Sequence, residues 1–443
     1  METPILDFVE RYAASDVARL HMPGHKGKPF LGCEKLDITE IFGADALYEA
    51  SGIIARSEEN AAALFGAGRT FYSTEGSSQC IRAMLYLALT NRPKEAHRVI
   101  VAARNVHKAF VYAAALLDFE IVWLWPEGSS SLCACPVSPK ALEQTLESLD
   151  APPAAVYLTS PDYLGGMADI AALSAVCHRH GTVLAVDNAH GAYLHFLRPA
   201  VHPLDLGADL CCDSAHKTLS VLTGGAYLHV AKSAPQGFSE NGKAALALFG
   251  STSPSYLTLC SLDRCNRTLS EAYPPRLLET VAQLDALRHS LGKARWQVEP
   301  SDPLRLTLRS PGSGVALARQ LRRHGVECEY ADRDFLVLMA TPENAAADFT
   351  RVEQALGENL APCTPAPALP TAKGRQVLSV RQALFAPCET IAAQEALGRI
   401  CGAPTVSCPP AIPIAVSGEE IGPEALELLR YYGVETVNVV KSV

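Results

Sequence analysis

The sequence predicts an α/β fold with a mainly parallel sheet, helices on both faces, and a smaller α+β region towards the C-terminus. Three observations predict it. Short apolar runs alternate with helical patterns through the middle of the chain. Most of those runs are near-continuously apolar, as strands are when both sheet faces are covered. Polar residues collect at their C-terminal ends, where open α/β sheets bind ligands.

Taken in order, a segment to about residue 55 precedes the first regular pattern. The strand-like runs are RVIVAA (98–103), FEIVWL (119–124), AAVYLT (154–159), TVLAVD (182–187), DLCCDS (209–214) and GAYLHV (225–230). Helical patterns over 78–89, 108–117 and 170–180 lie among them. After about residue 290, PLRLTLR (303–309), VECEYA (326–331) and FLVLMA (335–340) read as strands, with helices over 314–323 and 343–356. APCTPAPALPTA (361–372) reads as a connector. The expected organisation is therefore 1–55, a large α/β domain over 56–290, and a smaller α+β domain over 291–443.

Composition narrows the function. The chain has 443 residues, 48% hydrophobic, and a net charge of −9. The apolar content excludes general disorder, and the acidic balance argues against nucleic acid or an anionic membrane surface as the main partner. The N-terminus carries acids and no apolar signal core, and the longest apolar run, AFVYAAALL (109–117), is too short to span a bilayer. A cytoplasmic protein is expected. None of the 14 cysteines stands in a C-x-x-C pair, so neither a metal site nor a disulfide framework is expected.

The chemistry gathers at strand ends. DSAHKT places Ser214, His216 and Lys217 directly after a strand, where a desolvated lysine is an amine nucleophile. Alone, Lys217 also fits an ordinary surface lysine. VDNAHG places Asp187 at another strand end, 30 residues earlier. Pyridoxal phosphate (PLP) chemistry needs this pair, a lysine for the Schiff base and an acid for the pyridine nitrogen. The alternative for Asp187 is a cap on the next turn. STEGSS sets Gly76, Ser77 and Ser78 before an apolar helix, which makes either an anion site or a helix cap without a ligand. His107 follows the strand 98–103, fit to stack on a ring or to serve structure alone. No G-x-G-x-x-G follows the first strand, which argues against a dinucleotide site.

Together these motifs resemble the Orn/Lys/Arg decarboxylases, PLP enzymes of the aspartate-aminotransferase-like fold type I with a seven-stranded-type sheet. RLHMPGHKG (19–27), DITEIFGADALYEASGII (37–54), STEGSS, RNVHKA, TSPDYLGGMADI (159–170), VDNAHG, SAHKTL, PPAIP (409–413) and GEEI (418–421) occur in the family's order. The resemblance implies that Lys217 carries the cofactor, Asp187 pairs with its ring nitrogen, and His107 stacks on the ring. It implies that Ala189 packs on the opposite ring face, and that Gly76, Ser77, Ser78, Ser214 and His216 hold the phosphate. Ser160 and Asp162 would approach the cofactor, and His190 would handle protons. The implied reaction is decarboxylation of arginine, lysine or ornithine. Another reaction on the same scaffold, transamination or a lyase step, or a binding-only homologue, stays open.

A carboxylate should read the substrate's distal cation, with Glu75, Asp162 and Glu419 as candidates. The implied assembly is a homodimer or larger, with 21–27 among the parts that reach an active site, and the implied form is a short one without the N-terminal wing domain of larger members. Departures from the family pattern fall at Gly224 for Gln, Val221 for a small residue, Asn188 for Glu or Ser, Asp162 for Thr, Ala411 for Gly, and Glu75 for Asn.

Overall fold

The computed structural model describes residues 1–92, 97–128, 131–310, 312–357, 359, 368–404 and 412–441. Ala411, most of PPAIP and residues 361–367 of the connector lie outside them. The chain forms two compact units, Met1–Lys94 with Ile170–Leu278, and Glu95–Asp169 with Glu279–Val443.

The first unit carries strands β1 (Arg69–Ser73), β5 (Leu184–Asp187), β6 (Leu210–Asp213) and β7 (Ala226–Val230), in the order β1-β7-β6-β5. β5 and β6 are parallel, while β7 runs antiparallel to both β6 and β1. Every residue of β5, β6 and β7 is buried, which is why these runs read as continuously apolar. Strand β1 escapes that reading because Thr70 and Ser73 are buried through partners, His229 and Gln79.

Helix Ser77–Thr90 buries Cys80, Ile81, Met84, Leu85 and Leu87. It starts at Gly76, whose φ of +73° favours glycine. Helix Pro4–Ala14 opens with proline at its first turn, and the Asp263 carboxylate accepts the N–H groups of Ile5 and Leu6 at 2.9 and 3.0 Å.

The second unit carries β2 (His97–Ala103), β3 (Glu120–Leu124) and β4 (Pro153–Thr159), in the order β4-β2-β3 and all parallel. It also holds an antiparallel sheet of β8 (Gln297–Glu299), β9 (Arg305–Arg309), β10 (Tyr330–Ala331) and β11 (Phe335–Met339), and a pair β12 (Cys388–Ala392) with β13 (Thr436–Val440). Helices Gly314–Arg323 and Ala346–Leu356 bury Leu317, Leu321 and Val352 in one core with Leu306, Leu308 and Leu336.

The expected strand 326–331 shrinks to Tyr330–Ala331. The Val326 N–H instead closes the preceding helix on Leu321 O, with Gly325 at φ +73°. The helix expected from 343 begins at Ala346, because Thr341 and Asn344 form their own hydrogen-bonded turn. No described helix is long and apolar enough to cross a membrane.

Candidate active site

In the first unit, β5 and β6 lie side by side and deliver Asp187 and Asp213 to the same end. Asp187 is buried, and its Oδ1 accepts the Ala189 N–H at 3.2 Å and the Cys212 thiol at 3.6 Å. The Asx turn this makes is how a strand-end aspartate shapes the chain that follows. That chain brings His190, itself buried, within 2.9 Å of Lys217 through Nε2 and Nζ. Lys217 stands in the one-turn helix Ala215–Thr218 that directly follows Ser214.

The residues expected to hold a phosphate are joined by a short relay. Gly76 N–H donates to Gly224 O at 2.7 Å, and Gly224 N–H donates to His216 Nδ1 at 3.2 Å. The same Nδ1 also lies 3.3 Å from Gly225 O. Gly224 has φ +96°, and a Cβ there would lie 2.6 Å from Thr74 O. No side chain fits at this position, so the departure at Gly224 belongs to a close approach of two turns.

The residues present fit a bound phosphate. The Ser214 hydroxyl is buried and has no hydrogen-bond partner, a state that costs about 1–3 kcal/mol unless a ligand supplies one. Around Gly76 the space that a Cβ would fill is open to 4 Å. Helix Ser77–Thr90 aims its first N–H groups there.

The second unit has strand ends of its own. β2 and β4 are adjacent and parallel, so His107 after β2 and Ser160 after β4 leave the sheet at one end. His107 caps helix Lys108–Leu117 by accepting the Ala109 N–H on Nδ1 at 3.1 Å. Ser160 is buried and accepts the Ala168 N–H at 3.1 Å. Asp162 accepts the N–H groups of Leu164 and Gly166 at 2.9 and 2.8 Å, and burial pushes its carboxyl up to about 6. A Cβ at Gly166 would lie 2.5 Å from Asp162 Oδ2, so this loop is also closed around glycine.

Sequence reasoning missed two features. Arg104 is buried between Trp123 and Trp125, its guanidinium 4.7 and 5.2 Å from their rings, and pairs with Glu419 at 2.8 Å. Glu419 is 2% exposed and also accepts the Val416 N–H. It is therefore occupied by Arg104 rather than left to a substrate cation. The second feature is a group of His202, His229 and Cys211 around Asp213. Its only sequence signal was polar residues inside the apolar runs LCCD and AYLHV.

Segment 21–27 is organised by its own contacts. Tyr12 OH meets His21 Nε2 at 2.6 Å, His25 Nε2 meets Asp37 at 3.1 Å, and Gly27 N–H donates to His25 Nδ1 at 3.0 Å.

Residues 3–310 match the family model of the Orn/Lys/Arg decarboxylase major domain. The chain is 30% identical to the uncharacterized protein YaaO of Bacillus subtilis, over 97% of this chain and 94% of that one. It is 27% identical to an arginine decarboxylase of the same organism, over 97% and 93%. Among solved structures, the Francisella novicida lysine decarboxylase superposes with a TM-score of 0.83 at 16% identity, over 99% of this chain and 81% of that one. Sphingomonas wittichii serine palmitoyltransferase follows at 0.58 and 15%, over 80% and 82%. These likenesses carry the fold, and the family match carries the chemistry. On the family match and these relatives, the chain belongs to the Orn/Lys/Arg decarboxylase family and is a PLP-dependent amino acid decarboxylase of fold type I.

Proposed function

We propose that the substrate is a basic amino acid, arginine, lysine or ornithine, and that the products are CO₂ and the corresponding amine. The observation that carries the reading is the set in one unit: Lys217 on His190 at 2.9 Å, Asp187 ending the adjacent strand, and the unpartnered Ser214 hydroxyl. The family match and the arginine decarboxylase relative support the substrate class.

When bound, PLP supplies a conjugated ring that accepts the electrons of the breaking bond between Cα and the carboxylate. The chain's own residues do the rest. Lys217 anchors the cofactor and His190 holds or returns a proton at Nζ. Asp187, its Oδ1 fixed by the Ala189 N–H and the Cys212 thiol, would pair with the ring nitrogen, and Ala189 would pack against the ring. Gly76, Ser77, Ser78, Ser214 and His216 hold the phosphate. By the family resemblance alone, His107 would stack on the ring and Ser160 and Asp162 would approach it. With Glu419 occupied, Glu75 and Asp162 are the carboxylates proposed for the distal cation.

A second copy of the chain completes the assembly. In support, Leu20, Met22, Phe30, Leu31 and Phe42 extend apolar side chains into solvent, Leu20 at 95% exposure, a pattern that marks interaction surfaces. The boundaries 1–55, 56–290 and 291–443 are the domain organisation we propose with it.

The test is direct. Purified protein given PLP should develop a visible or near-ultraviolet band, and Lys217→Ala should abolish both the band and turnover. CO₂ release across arginine, lysine and ornithine identifies the substrate. Keto-acid formation without CO₂ would move the reading to transamination, and a wild type that never takes up PLP would sink every enzymatic reading.

A further inference from the structure

Asp213 ends β6 with no exposed surface, and four donors converge on it. His202 Nε2 lies 3.0 Å from Oδ2 and 3.2 Å from Oδ1, and His229 Nε2 lies 3.2 Å from Oδ2. Asn188 Nδ2 donates to Oδ1 at 2.7 Å, and the Cys211 thiol sits 3.6 Å away. Both imidazoles are fully buried. Burial alone would raise the Asp213 carboxyl, yet the two histidines hold it far below the usual carboxylate range. Among the described residues, the other ionisable groups bearing on the cluster include Asp187, His195, Tyr227 and the thiols of Cys80 and Cys212.

The outer ring nitrogens show what the cluster is built for. His202, Cys211 and Asp213 bring three ligand types within 4.8 Å of one another, a group that could hold a metal. A metal on His202 Nε2 would require the ring proton on Nδ1. Here the Leu204 N–H donates to that Nδ1 at 3.3 Å, which puts the proton of the neutral ring on Nε2, facing the carboxylate. Thr70 Oγ1 meets His229 Nδ1 at 2.8 Å. The arrangement is one of hydrogen bonds to Asp213.

What the cluster grips is Asn188, the residue after Asp187. Its N–H donates to Cys212 O at 3.0 Å, its carbonyl accepts the Gly191 N–H at 2.8 Å, and its side chain reaches Asp213. A Cβ at Gly191 would fall 2.0 Å from Asn188 Oδ1, so the turn closes directly over the amide. The turn that carries Asp187, Ala189 and His190 is thereby fastened to the residue preceding Ser214.

We infer that Asp213, acting through Asn188, is a positioning residue that holds the Asp187 turn and Ser214 in one register for the cofactor. This rests on the cofactor placement proposed above. The contact joins the last residue of β6 to the residue that follows β5, both buried, and neither touches the reacting atoms.

The test uses the reconstituted holoenzyme. Asn188→Ala cuts the link and leaves the His202–Asp213–His229 group whole; Asp213→Asn removes the charge. Both variants should release PLP roughly tenfold faster than wild type, the loss expected for a hydrogen bond to a charged group. Both should displace the pH midpoint of the absorption band and lower kcat more than they raise KM. The double variant should release PLP no faster than Asp213→Asn alone. An Asn188→Ala protein with unchanged release rate and band midpoint overturns the inference, even if its melting temperature falls. So does stoichiometric metal that Cys211→Ser removes. A wild type that shows no band sinks the cofactor placement itself, an outcome distinct from a normal wild-type band that Asn188→Ala leaves untouched.

Discussion

Asp213 in the first unit and Asp162 in the second are both buried carboxylates at or just past a strand end, yet they titrate in opposite directions. Asp213 is met by two imidazoles and an amide and stays far below the usual range. Asp162 is met by two backbone N–H groups, the nearby Arg305 guanidinium donates to its main-chain carbonyl, and burial wins, lifting it to about 6. Burial of similar depth thus leads to a charged group in one place and a protonatable one in the other. At Asp213 the two imidazoles outweigh burial, whereas at Asp162 two backbone N–H groups do not. Asp263 confirms that the unit is not the variable. It lies in the first unit, accepts Ile5 N–H, Leu6 N–H and the Ser57 hydroxyl, and also rises to about 6.

The largest expected effect probes a buried carboxylate with a full cation. Burial raises the Glu419 carboxyl against the pull of Arg104. Glu419→Ala would leave that guanidinium buried and unpaired, and should cost about 3–5 kcal/mol by urea denaturation. Glu419→Gln should cost less, because the amide oxygen can still accept from Arg104 and Val416. If the alanine variant loses less than about 1 kcal/mol, Trp123 and Trp125 alone carry the arginine, and countercharge is not what matters there.

The next effect is a pH dependence. The Asp162 carboxyl rises in the folded protein from an ordinary 3.8 to about 6. Its stabilising contribution is therefore complete below about pH 4 and lost as pH rises through about 6, worth on the order of 2–3 kcal/mol. Asp162→Asn keeps an Oδ1 acceptor for Leu164 and Gly166 but cannot ionise. Urea midpoints taken from pH 4 to 7 should fall less steeply for this variant than for wild type. Parallel slopes would show that Asp162 is ionised throughout, and the contrast with Asp213 would be lost. Asp263→Asn should flatten the same window independently, since its partners are separate.

Much of this was legible in the sequence, for reasons that the same contrast explains. Strands β4 to β7 announced themselves because burial on both faces demands apolar runs, β2 and β3 read as strands although β3 buries only Leu124, and Lys217, Asp187 and Ser214 sit where such runs end. What hydropathy hides is polar burial satisfied at long range. Strand β1 buries Thr70 and Ser73 against residues 159 and 6 positions away. Glu419 looked like a free carboxylate in GEEI, and its partner Arg104 is 315 residues distant. His229 reaches Asp213 only because β7 folds back antiparallel on β6, pairing Tyr227 with Asp213. No local spacing encodes that meeting. The two polar residues interrupting LCCD and AYLHV were its only trace.

The smallest expected effect separates burial from distance. Arg322 and Glu327 pair on the surface at 2.7 Å, with a bidentate contact from Arg322 Nε, and the arginine holds the Glu327 carboxyl below its ordinary range. The separation is no longer than the 2.8 Å of Arg104 and Glu419. Coulomb's law at fixed distance would give the two pairs equal weight if their surroundings were the same. They are not, for Arg322 is 51% exposed and Glu327 68%, while Glu419 is 2% exposed. Water screens the surface pair and re-solvates either partner when the other is removed. Glu327→Gln should accordingly leave the urea midpoint unchanged within error at both low and high salt. A shift as large as that of Glu419→Ala would mean that distance governs these pairs, and the reading of Asp213, Asp162 and Glu419 by their surroundings would have to be abandoned.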